Sequence, residues 1–335
     1  MHVTGRVAGQ LARCAACLTL IGGCATAPPA DDASGPTTAS SSARPADAAA
    51  PASAAVSATP TTPRLTVVAA ENVWGSIAAQ LGGDRVSVSS IVVNPNADPH
   101  DYEPTPADAR RIVAARLFIQ NGIGYDTSWA PKLVAANPEP GRDVLTVGDV
   151  LGLKDGDNPH QWYSHDGVLK MVDAIVAEYL RLDAADSATF ERNKHDFESD
   201  ALVRYSELES RIRDKYRGTP IGASESIATP LADSLDLNLL TPATFLTAIS
   251  EGTDPTAADK STIDDQIKNR QIKVYLYNSQ NATPDVSTQV TEAKAVGVPV
   301  CVITETPQPA DATFQDWMVS ELSQLEAALA QATGS

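Results

Sequence analysis

Basic residues are scarce in this chain, which has 25 Lys and Arg against 42 Asp and Glu among 335 residues. A formal net charge of −17 repels the phosphates of nucleic acids and the headgroups of anionic lipids. The composition therefore excludes nucleic acid as an expected partner and excludes electrostatic adhesion to a membrane surface. The attraction of cations by this acidic surface is, by itself, weak evidence for a cation-binding function.

Long apolar runs are also missing. The run at residues 14–21 is too short to span a bilayer as a helix. It follows two arginines and ends in Ile21-Gly22-Gly23-Cys24, which resembles the lipobox of bacterial lipoprotein signal peptides. We expect residues 1–23 to be a lipoprotein signal peptide and Cys24 to be lipidated. The lipid would anchor the protein to the outer face of the bacterial cytoplasmic membrane. The alternative is an ordinary secretory signal with an incidental cysteine.

Cysteine is rare as well, with four residues in the chain. Cys14 and Cys17 fall inside the segment that is expected to be removed, and Cys24 is expected to carry acyl chains. Cys301 then lies in an apolar run without a partner for an intramolecular disulfide. Stability must therefore come from a hydrophobic core rather than from cross-links.

Large apolar side chains are almost absent from residues 25–63, where Val56 is the only aliphatic residue larger than alanine. Such a segment cannot bury enough apolar area to offset the entropy of ordering it. We expect residues 24–63 to be a disordered tether that lets a globular head stand off the membrane.

From residue 64 onward, apolar runs alternate with amphipathic segments, which predicts an α/β fold with mostly parallel sheets. The predicted strands are residues 65–69, 86–93, 117–121, 144–147, 220–223, 274–277 and 298–303. The predicted helices are residues 73–81, 106–115, 127–136, 227–234, 245–250, 260–269, 285–295 and 313–330. We expect two lobes, residues 64–185 and 217–335, each a mostly parallel sheet flanked by helices.

Residues 186–216 lack proline and glycine, and their apolar residues recur close to helical spacing. This pattern predicts one helix of about 30 residues, ~45 Å long. We expect this long backbone helix to join the two lobes as a rigid spine.

Only five histidines are present, and two of them follow proline, in Asp98-Pro99-His100 and Asn158-Pro159-His160. Proline fixes its own φ and holds the preceding residue extended, so each imidazole has a stiff loop mount. An aromatic residue, Tyr102 or Trp162, follows each of them within three residues. The repeated context indicates two ligands of one metal ion rather than two unrelated surface histidines.

Two carboxylates occupy equivalent positions in the second half of the chain. Glu225 follows the predicted strand 220–223, and Glu305 follows the predicted strand 298–303. The carboxyl ends of parallel strands carry functional loops, which makes both residues candidates for the same site. Either one alone is better explained as a helix N-terminal charge that the helix dipole stabilises.

From residue 65 to the C-terminus, the chain resembles the solute-binding lipoproteins of ABC importers for zinc and manganese, the TroA-like group with a helical backbone. Residues 94–108 are similar to the first ligand loop of that family, and residues 158–162 to the second. Residues 223–225 and 298–306 are similar to its third and fourth ligand segments. The resemblance implies one divalent ion, Zn²⁺ or Mn²⁺, held by His100, His160, Glu225 and Glu305.

The resemblance also implies delivery of the ion to an ABC permease and its ATPase. We expect a monomeric head that touches the membrane only through its lipid. Beside the ligands we expect Asp98, Asp101, Tyr102 and Trp162, since ligating imidazoles commonly donate their second N–H to a carboxylate or carbonyl.

The choice between zinc and manganese stays open. Zinc-binding members commonly have a third histidine where this chain has Glu225, and many carry a His-rich loop that is missing here. Manganese-binding members have glutamate at that position but usually aspartate where this chain has Glu305. Two imidazoles and two carboxylates accept either ion.

The rival interpretation from another class is a zinc hydrolase. Catalytic zinc keeps an open coordination position and needs a nearby general base, whereas four protein ligands would close the shell. The chain also lacks a His-Glu-x-x-His motif, so we expect no enzymatic activity. An adhesin is compatible with surface anchoring, but it predicts that alanine at His100 and His160 leaves the activity intact.

Overall fold

Two parallel four-stranded β-sheets organise residues 64–94 and 102–334, which are the residues that this computed structural model describes. The first sheet contains β1 Leu65–Glu71, β2 Val86–Val92, β3 Leu117–Gln120 and β4 Asp143–Thr146. The second contains β5 Pro220–Ala223, β6 Asn238–Leu239, β7 Val274–Asn278 and β8 Val300–Ile303. Every strand pair is parallel, which confirms the predicted fold class.

The two sheets have equivalent strand orders, β2-β1-β3-β4 and β6-β5-β7-β8. In each sheet the first strand of the chain lies inside, so the segments after neighbouring strands leave from one shared edge. All strands of the first sheet precede residue 186, and all strands of the second follow residue 216. The boundaries of the two lobes themselves stay a prediction.

Twelve α-helices flank the sheets within the described residues. They are α1 Asn72–Gly82, α2 Pro106–Ala114, α3 Ala130–Ala136, α4 Val147–Leu151, α5 His165–Leu182, α6 Ser187–Asp196, α7 Val203–Tyr216, α8 Ala228–Ser234, α9 Ala243–Ser250, α10 Ala257–Lys268, α11 Pro284–Val296 and α12 Phe314–Thr333. Five of these helices follow a Ser or Thr whose side chain accepts a hydrogen bond from the first turn. These capping residues are Thr105, Ser164, Thr256, Thr283 and Thr313.

The predicted single helix over residues 186–216 is wrong in detail. The segment consists of α6, a π-helical turn at Phe197–Ala201, and α7. Phe197 and Tyr205 are both buried although they are eight residues apart, nearly one residue more than two α-helical turns. A π turn contains more residues than an α-helical turn, so it accommodates the extra residue. It is closed by a hydrogen bond from Leu202 N–H to Phe197 O at 2.9 Å.

The sequence prediction gives no bounds for the long helix α5 and misses two short elements. The helix α4 has five residues and the strand β6 has two, so neither is long enough to show a period. The helix α4 directly follows β4 and begins the connection that carries His160.

One continuous hydrophobic core serves both sheets. It includes Val67 and Ala69 of β1, Tyr205 of α7, and Ile221 and Ala223 of β5. A smaller cluster covers the opposite face of the first sheet. Because interiors are close-packed and transmit strain, a shared core resists independent movement of the two halves.

The predicted N-terminal segments, namely the signal peptide at residues 1–23, the lipidated Cys24 and the tether, lie outside the described residues. None of the helices within residues 64–94 and 102–334 is both long enough and apolar enough to cross a membrane.

Candidate metal site

Three side chains of the type that bind metals converge in the protein interior. The ligand atoms of His160, Glu225 and Glu305 all lie within 4.8 Å of one another. The Nε2 atom of His160 is 3.8 Å from Oε2 of Glu305. All three residues are at most 2% exposed. Two carboxylates buried beside an imidazole carry a high desolvation cost, which a divalent cation would offset.

The strand order of the second sheet explains how the two carboxylates meet. Glu225 comes two residues after β5 and Glu305 comes two residues after β8. The strand β7 lies between β5 and β8, and its last residue is Asn278. Both carboxylates therefore leave the same edge of the sheet on either side of Asn278.

The amide of Asn278 joins the two carboxylates. Its Nδ2 donates to Oε1 of Glu225 at 2.6 Å and to Oε1 of Glu305 at 2.9 Å. Its Oδ1 accepts from the backbone N–H of Gln280 at 2.9 Å, which assigns the nitrogen to the side of the carboxylates. Asn278 is completely buried, so its amide is fixed in this orientation.

Neutral donors also hold the second oxygen of each carboxylate. The Nδ2 of Asn281 donates to Oε2 of Glu225 at 2.8 Å, and the hydroxyl of Tyr125 donates to Oε2 of Glu305 at 2.8 Å. These contacts orient the carboxylates without cancelling their charge. Neither donor carries a positive charge that would compete with a cation.

Asn158 fixes the tautomer of His160. Its Oδ1 lies 3.0 Å from Nδ1 of the ring and also accepts from the backbone N–H of His160 at 3.0 Å. The other end of the amide donates to the backbone oxygen of Ser226 at 2.7 Å, so the oxygen faces the ring. A carbonyl oxygen only accepts, so we assign the ring proton to Nδ1. The lone pair of Nε2 then faces Glu305.

Aromatic rings form the wall behind the imidazole. The ring of Trp162 meets that of His160 edge-on at a centroid distance of 5.3 Å, and the ring of Tyr125 does so at 5.7 Å. Both aromatic residues are buried. This apolar wall lowers the local dielectric and strengthens the attraction between carboxylates and a cation. Trp162 thus lies against the ring of His160, and its predicted role beside a metal ligand stays a prediction.

The buried carboxylate of Asp126, in the loop after β3, braces the loops on that side. The carboxylate of Asp126 accepts from the backbone N–H groups of Asn121 at 2.8 Å and Gly122 at 2.7 Å, next to Tyr125. The Nδ2 of Asn121 donates to the backbone oxygen of Pro159 at 3.1 Å, which supports the His160 loop. Burial, followed by the nearby charge of Asp126, raises the pKa of Glu71 well above its usual value.

The remaining predicted site residues have different outcomes. His100, Asp98 and Asp101 lie outside the described residues, so the predicted role of His100 as a fourth ligand stays a prediction. The described contacts of Tyr102 lie near the start of α2: its hydroxyl donates to Asp108 at 2.8 Å, and its ring packs on Trp129 at 5.1 Å. Burial, followed by the hydrogen bond to Asp108, raises the pKa of Tyr102 to about 12.

Four residues of the site are missed by sequence reasoning, and each is a neutral hydrogen-bonding partner. They are Tyr125, Asn158, Asn278 and Asn281. In the sequence, Asn281 attracts notice only as part of an Asn-Ala-Thr sequon. The one usable signal is the position of Asn278 at the end of an apolar strand, between two strands that are followed by glutamates.

A polar cleft of about 400 Å³ lies beside the cluster, lined by Asn158, Pro159 and Ser226 among others. The two parallel sheets and the buried His-Glu-Glu cluster define an α/β protein with a candidate metal site.

The chain belongs to the ZnuA family. The model of this family, described as zinc-uptake complex component A, periplasmic, matches residues 67–328. The expected relationship to metal-receptor lipoproteins of ABC importers is thereby confirmed.

Several curated relatives show similarity over part of their length. The metal ABC transporter substrate-binding lipoprotein SsaB of Streptococcus sanguinis is 28% identical over 169 residues, which cover 47% of this chain and 53% of that protein. The manganese-binding lipoprotein MntA of Halalkalibacterium halodurans is 29% identical over 161 residues, covering 47% and 51%. The chain thus spans about half the length of the curated relatives that it matches.

Solved structures share the fold. A Mn-bound periplasmic metal-binding protein from Candidatus Liberibacter asiaticus superposes with a TM-score of 0.67 at 20% identity, over 79% of this chain and 100% of that one. A crystal structure of ZnuA gives a TM-score of 0.65 at 20% identity, over 79% and 99%. At this level of identity the likeness establishes the fold alone.

Proposed function

We propose that the protein is the extracytoplasmic solute-binding lipoprotein of an ABC importer, which captures one divalent transition-metal ion, zinc or manganese. The observation that carries the proposal is the burial of His160, Glu225 and Glu305 with their ligand atoms within 4.8 Å of one another. Membership of the ZnuA family and the names of the curated relatives support it.

In this proposal the ion is the transported substrate. Nε2 of His160 and the carboxylates of Glu225 and Glu305 bind it, and His100 supplies a fourth donor. Because both carboxylates are already oriented by Asn278, little ordering entropy is lost when the ion binds. The ligand set combines imidazole, which suits zinc, with carboxylate oxygen, which suits manganese.

Direct hydrogen bonds across the site argue for small movements during capture and release. The hydroxyl of Tyr125 reaches Glu305 over 180 sequence positions, and Asn158 reaches the backbone of Ser226 over 68. Since the two halves also share one core, we expect shifts of loops rather than a wide hinge rotation. Comparison of metal-free and metal-loaded structures tests this, and a large rotation of one sheet against the other contradicts it.

The proposal includes transfer of the ion to a membrane permease that a cytoplasmic ATPase drives. It also includes a lipid on Cys24 as the membrane anchor and a monomeric head. The names of relatives such as the manganese ABC transporter lipoprotein of Streptococcus gordonii support these roles. The protein then needs no catalytic step of its own.

A competition titration tests the proposed function. The purified protein is stripped with a chelator and titrated with Zn²⁺ and with Mn²⁺ against a metal indicator. We expect tight 1:1 binding of at least one ion. His160→Ala should weaken binding by about 100-fold or more, because loss of a ligand exceeds the ~10–100-fold effect of losing a residue that only orients a ligand. His195, an exposed histidine on α6, is the matched control: His195→Ala should bind like the parent. Equal binding by the parent and His160→Ala contradicts the proposal.

A further inference from the structure

A buried acid on the last helix connects the two ligand-bearing segments. Glu321 of α12 is 6% exposed. It contacts Tyr163, three residues after His160, and Thr304, the residue before Glu305. A buried carboxylate is costly without compensation, and no Lys, Arg or His of the described residues forms an ion pair with it.

The contacts form a compact network. Tyr163 Oη lies 2.5 Å from Oε2 of Glu321 and 2.8 Å from the backbone oxygen of Thr304. Tyr163 Oη also accepts from the backbone N–H of Thr304 at 3.3 Å. On the other side, Oε1 of Glu321 accepts from Oγ1 of Thr304 and from Nε1 of Trp317, both at 2.8 Å. We call Tyr163, Thr304 and Glu321 the Glu321 bridge.

Counting hydrogens locates a proton on Glu321. Tyr163 has a single hydroxyl hydrogen but two short oxygen–oxygen contacts. The backbone oxygen of Thr304 can only accept, so the hydrogen of Tyr163 must point at it for that contact to be a hydrogen bond. The 2.5 Å contact then needs a hydrogen from Glu321. With an ionised Glu321, the single hydrogen of Tyr163 would have to serve both oxygens at once.

We propose that protonated Glu321 is a positioning residue for the metal site, which ties the loop that carries His160 to the strand end that carries Glu305. The proposal rests on the proposed metal-binding function. Through Tyr163 the bridge holds the segment next to one ligand, and through Thr304 it holds the residue directly before another. Glu321 itself is not a ligand.

The electrostatic surroundings favour the neutral form of Glu321 at pH values below about 7. Burial raises its pKa from 4.5 to about 7, against the opposing effect of its hydrogen bonds with Tyr163, Thr304 and Trp317. The titratable groups facing it are Tyr163 and Cys301 of β8. Burial, followed by the charge of Glu321, raises the pKa of Cys301 to about 12, and the Tyr163 pKa rises well above its usual value. Arg211 of α7 pairs with Glu326 of the same helix as Glu321.

The test compares Glu321→Gln with Glu321→Leu by competition titration with Zn²⁺ and with Mn²⁺ on the full purified protein. Glutamine keeps a donor for Tyr163 and an acceptor for Trp317, so binding should stay within about threefold of the parent. Leucine fills similar space but removes the hydrogen bonds of the bridge. Metal binding should therefore weaken by about tenfold or more, as it does when other residues that orient metal ligands are replaced. Glu326→Gln, at a half-buried position of the same helix whose side chain pairs with Arg211, is the matched control and should bind metal like the parent.

Tyr163→Phe keeps the ring and removes only the hydroxyl, and it completes a double-mutant cycle with Glu321→Leu. If both residues act through one bridge, the double variant should bind no more weakly than the weaker single variant. The proposal is overturned if Glu321→Leu and Tyr163→Phe bind like the parent, or if their losses simply multiply. Failure of the parent to bind either ion would instead refute the proposed function.

Discussion

Asn158 holds His160 through a single oxygen, which lies 3.0 Å from the backbone nitrogen and 3.0 Å from the ring Nδ1. The geometry selects the tautomer that directs the Nε2 lone pair toward the carboxylates. The same amide also reaches Ser226, the residue after Glu225. The side chain of Asn158 therefore fixes the orientation of His160 and also sets the spacing between the loops that carry His160 and Glu225.

Replacement of Asn158 by alanine should weaken metal binding by about 10- to 100-fold, because the imidazole loses its orienting acceptor. The measurement is a competition titration, accompanied by ¹⁵N NMR of the histidine rings to follow the tautomer. Asn137→Ala is the control, since Asn137 bonds the backbone of Leu133 at the end of α3. Unchanged affinity together with an unchanged tautomer would show that Asn158 has no such role.

Replacement of Asn278 by aspartate should destabilise the metal-free protein by about 2 kcal/mol or more, because a third buried carboxylate meets Glu225 and Glu305. Metal should restore much of this loss, since a divalent cation neutralises the cluster. Thermal unfolding with and without Zn²⁺ or Mn²⁺ measures both effects. A metal-free variant as stable as the parent would contradict the contacts assigned to Asn278.

Glu321 should make folding stability depend on pH. Its folded pKa of about 7 exceeds the ordinary 4.5, so the folded protein keeps a proton that the unfolded chain has lost. Its contribution is fully present below pH 4.5 and is lost as pH rises to about 7. Relative to Glu321→Gln, the free energy of unfolding of the parent should fall by about 3 kcal/mol across this pH window. Above the window, the free energies of unfolding of the two proteins should change with pH in parallel. Urea unfolding at several pH values checks this, and parallel curves throughout would refute it.

His165 should also make folding stability depend on pH, over a different pH range. Its Nδ1 lies 2.6 Å from Oε2 of the buried Glu209, and this hydrogen bond raises the pKa of His165 above 6.5. The stabilisation is therefore complete below pH 6.5 and is lost as pH rises through the raised pKa. The stability difference between the parent and His165→Gln should shrink between pH 6 and pH 8.5. A difference that stays constant would contradict the ion pair.

The sequence contains enough to predict the framework and two carboxylates of the site. Alternating apolar and amphipathic segments indicate parallel sheets, and Glu225 and Glu305 follow strands whose ends meet at one edge. His160 is recognisable because proline gives it a rigid loop. These features depend on local pattern, which a single chain displays directly.

The partners that orient the ligands depend on tertiary contacts instead. Tyr125 and Glu305 are 180 residues apart, and no local pattern announces that a tyrosine hydroxyl will meet a particular carboxylate. The π turn at Phe197–Ala201 is likewise not visible in the local sequence pattern. Neutral residues are the least predictable part of the site, because asparagine and tyrosine serve many roles.

The most direct test is anomalous diffraction from crystals of the protein loaded with Zn²⁺ and, separately, with Mn²⁺. The account predicts one strong peak at the cluster in at least one of them, about 2.0–2.2 Å from Nε2 of His160 and from carboxylate oxygens of Glu225 and Glu305 when the ion is zinc. A peak elsewhere with these three side chains uncoordinated, or no bound ion in either crystal, would contradict it.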